Sequence, residues 1–183
     1  MVQTSAVWET TRVQVEVSVQ DCLSEDSSLE VSNKYAASRI APETWETWFH
    51  DWLELLQPDV PASIYELSLR LTDDTEIQVL NASYRHQDQP TDVLAFAALE
   101  VKCPQPQRQS LPVYLGDIVI SVDTADRQAQ QQGHTLQTEL AWLATHGLLH
   151  LLGWDHPNED SLIEMLNQQA ILMKTVGLDI SET

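Results

Sequence analysis

The residues with the clearest chemical potential are three histidines in the stretch Thr145-His146-Gly147-Leu148-Leu149-His150-Leu151-Leu152-Gly153-Trp154-Asp155-His156. On a helix, side chains four apart share one face at about 6 Å, so His146 and His150 can hold one ion between their imidazoles. Gly153 predicts the end of that helix, because glycine enters the left-handed conformation without a Cβ penalty. The turned chain can then bring His156 back toward the same ion. Three neutral nitrogens suit zinc and leave a fourth position open to water, as in catalytic rather than structural zinc sites. A lone histidine on such a helix is more often a satisfied core group. Three of them, with a helix-stopping glycine between the second and third, make a far more specific pattern. Imidazole also suits nickel, copper and iron, so the spacing alone names a transition metal before it names zinc.

The same spacing, HxxxHxxGxxH, occurs in the metzincin peptidases, which place a glutamate base directly after the first histidine. Here that position is Gly147. Ordinary zinc-peptidase chemistry therefore lacks its base. A mid-helix glycine costs about 1 kcal/mol relative to alanine, which predicts either close packing at Gly147 or room above the metal. Two acids are candidates to support the ligands. Asp155 either orients an imidazole, accepts a proton or serves only as a turn residue, and Glu139, seven residues before His146, falls on roughly the same helical face.

The elements that must position this group follow from the periodicity. Val13, Val15, Val17 and Val19 alternate with polar residues, which predicts a strand over Arg12 to Val19. Residues 1–10 read as a tail and 20–41 as a surface insertion. Pro42 then opens a helix whose stripe of Trp45, Trp48, Phe49, Trp52, Leu53 and Leu56 is core, with His50 facing solvent. Pro58 and Pro61 end it, and Ile64, Leu67, Leu69 and Leu71 predict a second strand. Asp73 or Asp74 caps a helix to about Tyr84, followed by a polar turn and a strand through Val93 to Phe96. Arg85, at that junction, has the forked guanidinium that suits a phosphate, although a surface pair with Asp88 is an equally plain reading. Residues 98–112 read as a second insertion, and Val113 to Ser121 as a strand with a glycine-permitted bulge at Gly116. Asp123 caps a polar helix ending at Gly133, Thr135 caps the apolar helix bearing the histidines, and Leu162, Met165, Leu166 and Ile171 give a last helix its core stripe. The whole predicts one α+β domain over residues 1–183, with a small mixed four-stranded sheet, about five helices and the histidine helix central and buried.

Composition bounds the partners. With 183 residues and 43% apolar side chains, the chain is long enough to build a single sizeable core. Nine Lys and Arg stand against 28 Asp and Glu, a formal charge of -19 that weighs against broad phosphate binding. Two cysteines, Cys22 and Cys103, are too few for a disulfide framework and point to a reducing cytoplasm. The first residues have neither a basic nor an apolar segment of the kind that marks a signal peptide, and Leu140 to Trp154 is too short to span a bilayer. A soluble protein with no membrane partner is expected.

Three blocks together, Tyr84-Arg85 with Asp88 and Pro90-Thr91-Asp92-Val93-Leu94, Gly116-Asp117-Ile118-Val119-Ile120-Ser121, and His146 to His156, closely resemble the bacterial YbeY family of metal-dependent endoribonucleases. The resemblance covers roughly residues 60–175. It implies a zinc-dependent, single-strand-specific endoribonuclease acting in 16S ribosomal RNA 3′-end maturation and ribosome quality control. It also implies His146, His150 and His156 as ligands of one zinc ion and Arg85 as the functional arginine. Where family members often carry basic residues this chain has Gln87 and Gln89, and it has Ala95-Phe96-Ala97 and Trp154 in place of Ser-Phe-Pro and Tyr. The first departure makes the groove less positive. On this reading the metal, Arg85 and a neighbouring Arg70 form one positive cleft in an acidic body, RNA in the 16S precursor or small subunit is the substrate, and basic ribosomal proteins are docking partners. Two other readings of the same residues are a zinc metallopeptidase and a non-enzymatic ribosome-assembly factor with structural zinc.

Overall fold

The computed structural model describes residues 13–22, 39–59, 62–98 and 111–179. The tail at 1–10, Cys103 and most of the expected insertions at 20–41 and 98–112 lie outside the described residues.

The first strand, β1, is Gln14–Asp21, displaced by two residues from the expected start. Helix α1, Pro42–Leu56, has proline in its first turn, where a missing N–H costs nothing, and buries Trp45, Phe49, Trp52 and Leu53 completely. Its Trp52 indole N–H donates to the carbonyl of Leu172 at 3.0 Å, tying the helix to the far end of the chain. His50 was expected in solvent. Its side chain is only 20% exposed, because Val13–Val15 lies beside that flank, and its Nδ1 is 3.1 Å from an Asp51 carboxylate oxygen.

Strand β2, Ile64–Thr72, alternates as far as Leu71: Tyr65, Leu67, Leu69 and Leu71 point inward while Glu66, Ser68 and Arg70 point outward. Helix α2, Asp74–Arg85, is capped by Asp73, whose carboxylate accepts the Glu76 N–H at 2.8 Å. Strands β3, Val93–Ala97, and β4, Val113–Ser121, complete the sheet. Helix α3, Val122–Gln132, is capped by the Ser121 hydroxyl, which accepts the Thr124 N–H at 3.2 Å. Asp123, the expected cap, sits inside the first turn instead, where an acid still favours the helix N-terminus.

Helix α4, Leu136–Leu151, is capped by Thr135 as expected and is buried on nearly every side. Helix α5, Glu159–Thr175, starts at an Asn158–Ser161 capping box. Its buried face is Met165, Gln169, Leu172 and Met173, whereas Leu166 and Ile171, expected in the core, are exposed. The spacing of that observed face, four then three then one, sets the helix phase and turns the other two outward.

The sheet order is β1-β2-β4-β3, with β1, β2 and β4 parallel and β3 antiparallel at the edge. One face is apolar and is covered by α1, α4 and α5 in a single core that joins Leu67, Leu69, Ile118 and Ile120 to Trp52, Leu148 and Leu172. The other face carries Ser68, Arg70 and Asp117, with only a small second cluster where Ile77 of α2 meets Leu94 and Val119. Among the described residues this is the expected α+β fold, with five helices and one mixed four-stranded sheet.

The glycine in β4 also behaves as expected. The β2–β4 register jumps from Glu66 opposite Tyr114 to Leu67 opposite Gly116, leaving Leu115 as the extra residue of a bulge. Gly116 has φ +136°, and a Cβ there would stand 2.1 Å from the Phe96 carbonyl oxygen. Only glycine fits. Among the described residues, no helix is long and apolar enough to cross a membrane.

Candidate metal centre

Helix α4 ends in a left-handed glycine turn. Gly153, at φ +87°, donates to the His150 carbonyl at 3.0 Å and Trp154 donates to the Leu149 carbonyl at 3.0 Å, the paired bonds of a Schellman motif. The chain reverses there. It returns His156 to the histidines of α4, with ring centroids 5.5 Å from His146 and 5.2 Å from His150. One nitrogen from each of the three rings lies within 4.8 Å of the others, so the rings converge on one point.

Their hydrogen bonds decide which nitrogens are free. His150 Nδ1 is 2.9 Å from the Trp154 carbonyl oxygen, which can only accept, so this nitrogen carries the proton. The Gln169 amide donates to the Trp142 carbonyl at 3.2 Å, which turns its own oxygen toward His146 Nδ1 at 3.1 Å. That nitrogen donates too. Both Nε2 atoms therefore present lone pairs to each other across 3.1 Å, an arrangement that repels unless a cation lies between them. Two nitrogens at ~2.05 Å from one tetrahedral ion would be about 3.3 Å apart, so the donor set fits a zinc-sized ion.

Burial lowers the pKa of both His146 and His150. Burial is the largest cause; the neighbouring His156 and Arg85 push the same way, against the raising effect of the Gln169 hydrogen bond and Asp92 on His146 and of the Trp154 backbone on His150. The consequence is neutral imidazole, the form that binds metal.

The cleft around the three rings holds about 760 Å³ and is lined by Arg85, Thr91, Asp92, Asp117, Trp154 and residues of β3. Arg85, the last residue of α2, is exposed and makes no ion pair among the described residues. Its alternative partner Asp88 instead accepts from the Gln78 amide at 2.8 Å. Arg70 does not join this cleft. It pairs with Glu76 on the outer face of the sheet, where β2 alternation puts it.

Of the two acids singled out from the sequence, neither hydrogen-bonds a ligand imidazole among the described residues, and Asp155 takes the turn role that was one of its readings. Asp155 lines the cleft and accepts the His156 backbone N–H at 2.8 Å, so it shapes the returning turn. Glu139 is buried against His134, near the start of α4. The partner of His146 is Gln169, fully buried and overlooked by sequence reasoning. A signal for it existed: a polar residue stands at the apolar phase of α5, between Met165 and Leu172–Met173. Asp92 was also missed. Its carboxylate takes hydrogen bonds from the Val93 N–H at 2.8 Å, Thr91 at 3.2 Å and Gln128 at 3.0 Å, and it raises the basicity of His146.

A family model described as endoribonuclease YbeY matches residues 30–177. The chain belongs to the YbeY family. A Nostoc protein named endoribonuclease YbeY is 59% identical over 172 residues, covering 92% of this chain and 94% of that one. A Trichodesmium erythraeum protein of the same name is 64% identical over 136 residues, covering 73% and 74%. A solved solution structure from Thermotoga maritima shares the fold at a TM-score of 0.51 and 22% identity, over 88% of this chain and 89% of that one. The YbeY match begins at residue 30, well before the blocks that first carried the resemblance.

Proposed function

We propose that the protein is a metal-dependent endoribonuclease that hydrolyses phosphodiester bonds of single-stranded RNA, with His146, His150 and His156 holding one zinc ion and Arg85 binding the phosphoryl group. The observation that carries this reading is one cleft in which the three imidazoles converge on one point, those of His146 and His150 with Nε2 unprotonated, beside a guanidinium that has no ion-pair partner among the described residues. The names of its YbeY relatives support the same reaction class.

An ion bound there would supply Lewis acidity, polarising a phosphoryl oxygen and lowering the pKa of water from about 15.7 toward ~7. Arg85 holds a non-bridging oxygen through two N–H groups as negative charge grows in the transition state. Gln169 and the Trp154 carbonyl keep the two α4 imidazoles in the tautomer that leaves Nε2 free. Asp92, fixed by three donors, places a negative charge near His146 and sustains its basicity. Ordinary peptidase chemistry is disfavoured because Gly147, where the base would stand, is packed against Ile118.

This reading takes residues 1–183 as one YbeY-like domain working in the cytoplasm on the 16S ribosomal RNA precursor in the small subunit. The acidic surface suits basic ribosomal proteins as docking partners. The test is metal content and cleavage of a single-stranded RNA by wild type, Arg85→Ala and His150→Ala. Arg85→Ala keeps its metal and loses roughly 10²- to 10³-fold in rate, while His150→Ala loses both metal and cleavage. Folded, metal-loaded wild type that cleaves no faster than His150→Ala ends the nuclease reading. A structural-zinc assembly factor would show the reverse pattern, with His146→Ala unfolding and Arg85→Ala harmless.

A further inference from the structure

A second hollow, of about 540 Å³, lies on the outer face of the sheet between α2 and the strands. Its walls are Tyr84 and Leu80 of α2, Ser68 and Arg70 of β2, Phe96 of β3 and Asp117 of β4. Phe96 and Asp117, paired across the β3–β4 ladder, also line the histidine cleft, so the two hollows adjoin at the edge strand. The final residues of α2 serve one hollow each: Arg85 lines the histidine cleft and Tyr84 lines the other.

The chemistry of the second hollow differs from that of the first. Tyr84 is 65% exposed, and its ring meets Phe96 edge-on with centroids 5.0 Å apart, leaving an open aromatic face. Arg70 is neutralised by Glu76, and Asp117 adds a carboxylate that accepts from the Tyr114 hydroxyl at 2.7 Å. The local charge is net negative. Phosphate is repelled from such a surface, whereas a flat, uncharged ring with polar edges is accommodated. Unpaired bases on an aromatic side chain of an open sheet face are a general mode of single-strand recognition, tolerant of sequence because every base has a π-face.

We propose that this hollow is a nucleobase subsite, in which an unpaired base next to the phosphate held by Arg85 stacks on Tyr84. The inference rests on the nuclease reading and deepens it, since it makes substrate choice depend on an unstacked base at one fixed position. A base locked in a duplex cannot reach around the edge strand to Tyr84.

The experiment is an abasic scan. A single-stranded RNA oligonucleotide carries one abasic residue at successive positions around the scissile bond, and metal-loaded wild type, Tyr84→Ala and Tyr84→Trp are compared by KM and kcat. With wild type, one position alone raises KM on the order of tenfold when the base is removed. Tyr84→Ala raises KM by a similar factor on intact RNA and is insensitive to base removal at that position, while Tyr84→Trp restores the wild-type pattern. The exposed position of Tyr84 keeps these variants folded, which circular dichroism checks. Equal KM for wild type and Tyr84→Ala, or losses that simply add at every position, overturn the subsite. Wild type that cleaves no RNA at all fails the nuclease reading instead. The same scan read by fluorescence anisotropy then decides the subsite, with binding unchanged by Tyr84→Ala overturning it.

Discussion

Gln169 shows how much of a metal centre is set by a residue that need not touch the metal. Its amide is oriented by the Trp142 carbonyl, so only its oxygen can face His146 Nδ1, and this fixes the ring's tautomer and its tilt. Replacing it by leucine keeps volume and burial but frees His146 to protonate the wrong nitrogen. Gln169→Leu is therefore expected to weaken zinc binding by roughly 10- to 100-fold, while Gln169→Glu, which keeps an acceptor oxygen for His146 but loses the donor to the Trp142 carbonyl, weakens it less. Calorimetric zinc titration of both variants measures this directly. The ¹⁵N shifts of His146 in the metal-free protein report the tautomer, and an unchanged Nδ1–H signal in Gln169→Leu would remove the basis of the prediction. The histidine ligands themselves were legible because their spacing is local: a helical i, i+4 pair and a glycine turn need no knowledge of the rest of the fold. Gln169 was not, because it reaches His146 from 23 residues away and only through the packing of α5 on α4.

At the scale of elements, the contact of α4 with β4 decides where the histidines point. The sequence left two reasons for Gly147, close packing or space above the metal, and the structure supplies the first. A Cβ at 147 would lie 2.8 Å from Ile118 Cγ2 and 3.1 Å from Cγ1, both fixed to a branched side chain that cannot swing aside. Gly147→Ala gains about 1 kcal/mol of helix propensity but incurs overpacking of about 1–3 kcal/mol, so a net loss on the order of 1 kcal/mol is expected. Urea unfolding of Gly147→Ala, Ile118→Ala and the double variant checks it. Removing the Ile118 branches relieves the clash, so the double variant is more stable than the sum of the single changes predicts, and strict additivity would refute the packing account. The strand alternation of β2 and the bulge at Gly116 were legible for the same reason as the histidines, since period and backbone chemistry are local. The phase of α5 was not. Its apolar residues Leu166 and Ile171 offer a second stripe, and only the tie from Trp52 to the Leu172 carbonyl and the burial of Met165 and Met173 choose between them.

At the scale of the whole molecule, an acidic chain must bind a polyanion. The formal charge is -19, and among the described residues Arg39, Arg70 and Arg127 are each paired with a carboxylate, of Asp21, Glu76 and Asp74 respectively. Among the same described residues Arg85 has no such partner, and it lines the histidine cleft. Affinity for RNA is therefore not expected to come from a basic surface that collects many phosphates. Each phosphate neutralised on a single strand contributes about −0.7 to the slope of log K against log salt. One phosphate on Arg85 and one facing the metal give a slope of roughly −1.4, against −4 or steeper for a protein with six or more contacts. Anisotropy of a fluorescent single-stranded RNA, titrated across about 50 to 300 mM salt with zinc-loaded protein, measures the slope. Arg85→Ala should flatten it by about 0.7 and weaken binding similarly for different sequences. A steep wild-type slope that survives Arg85→Ala would mean that cations outside the cleft carry the RNA, and the single-cleft account of this acidic YbeY protein would have to be given up.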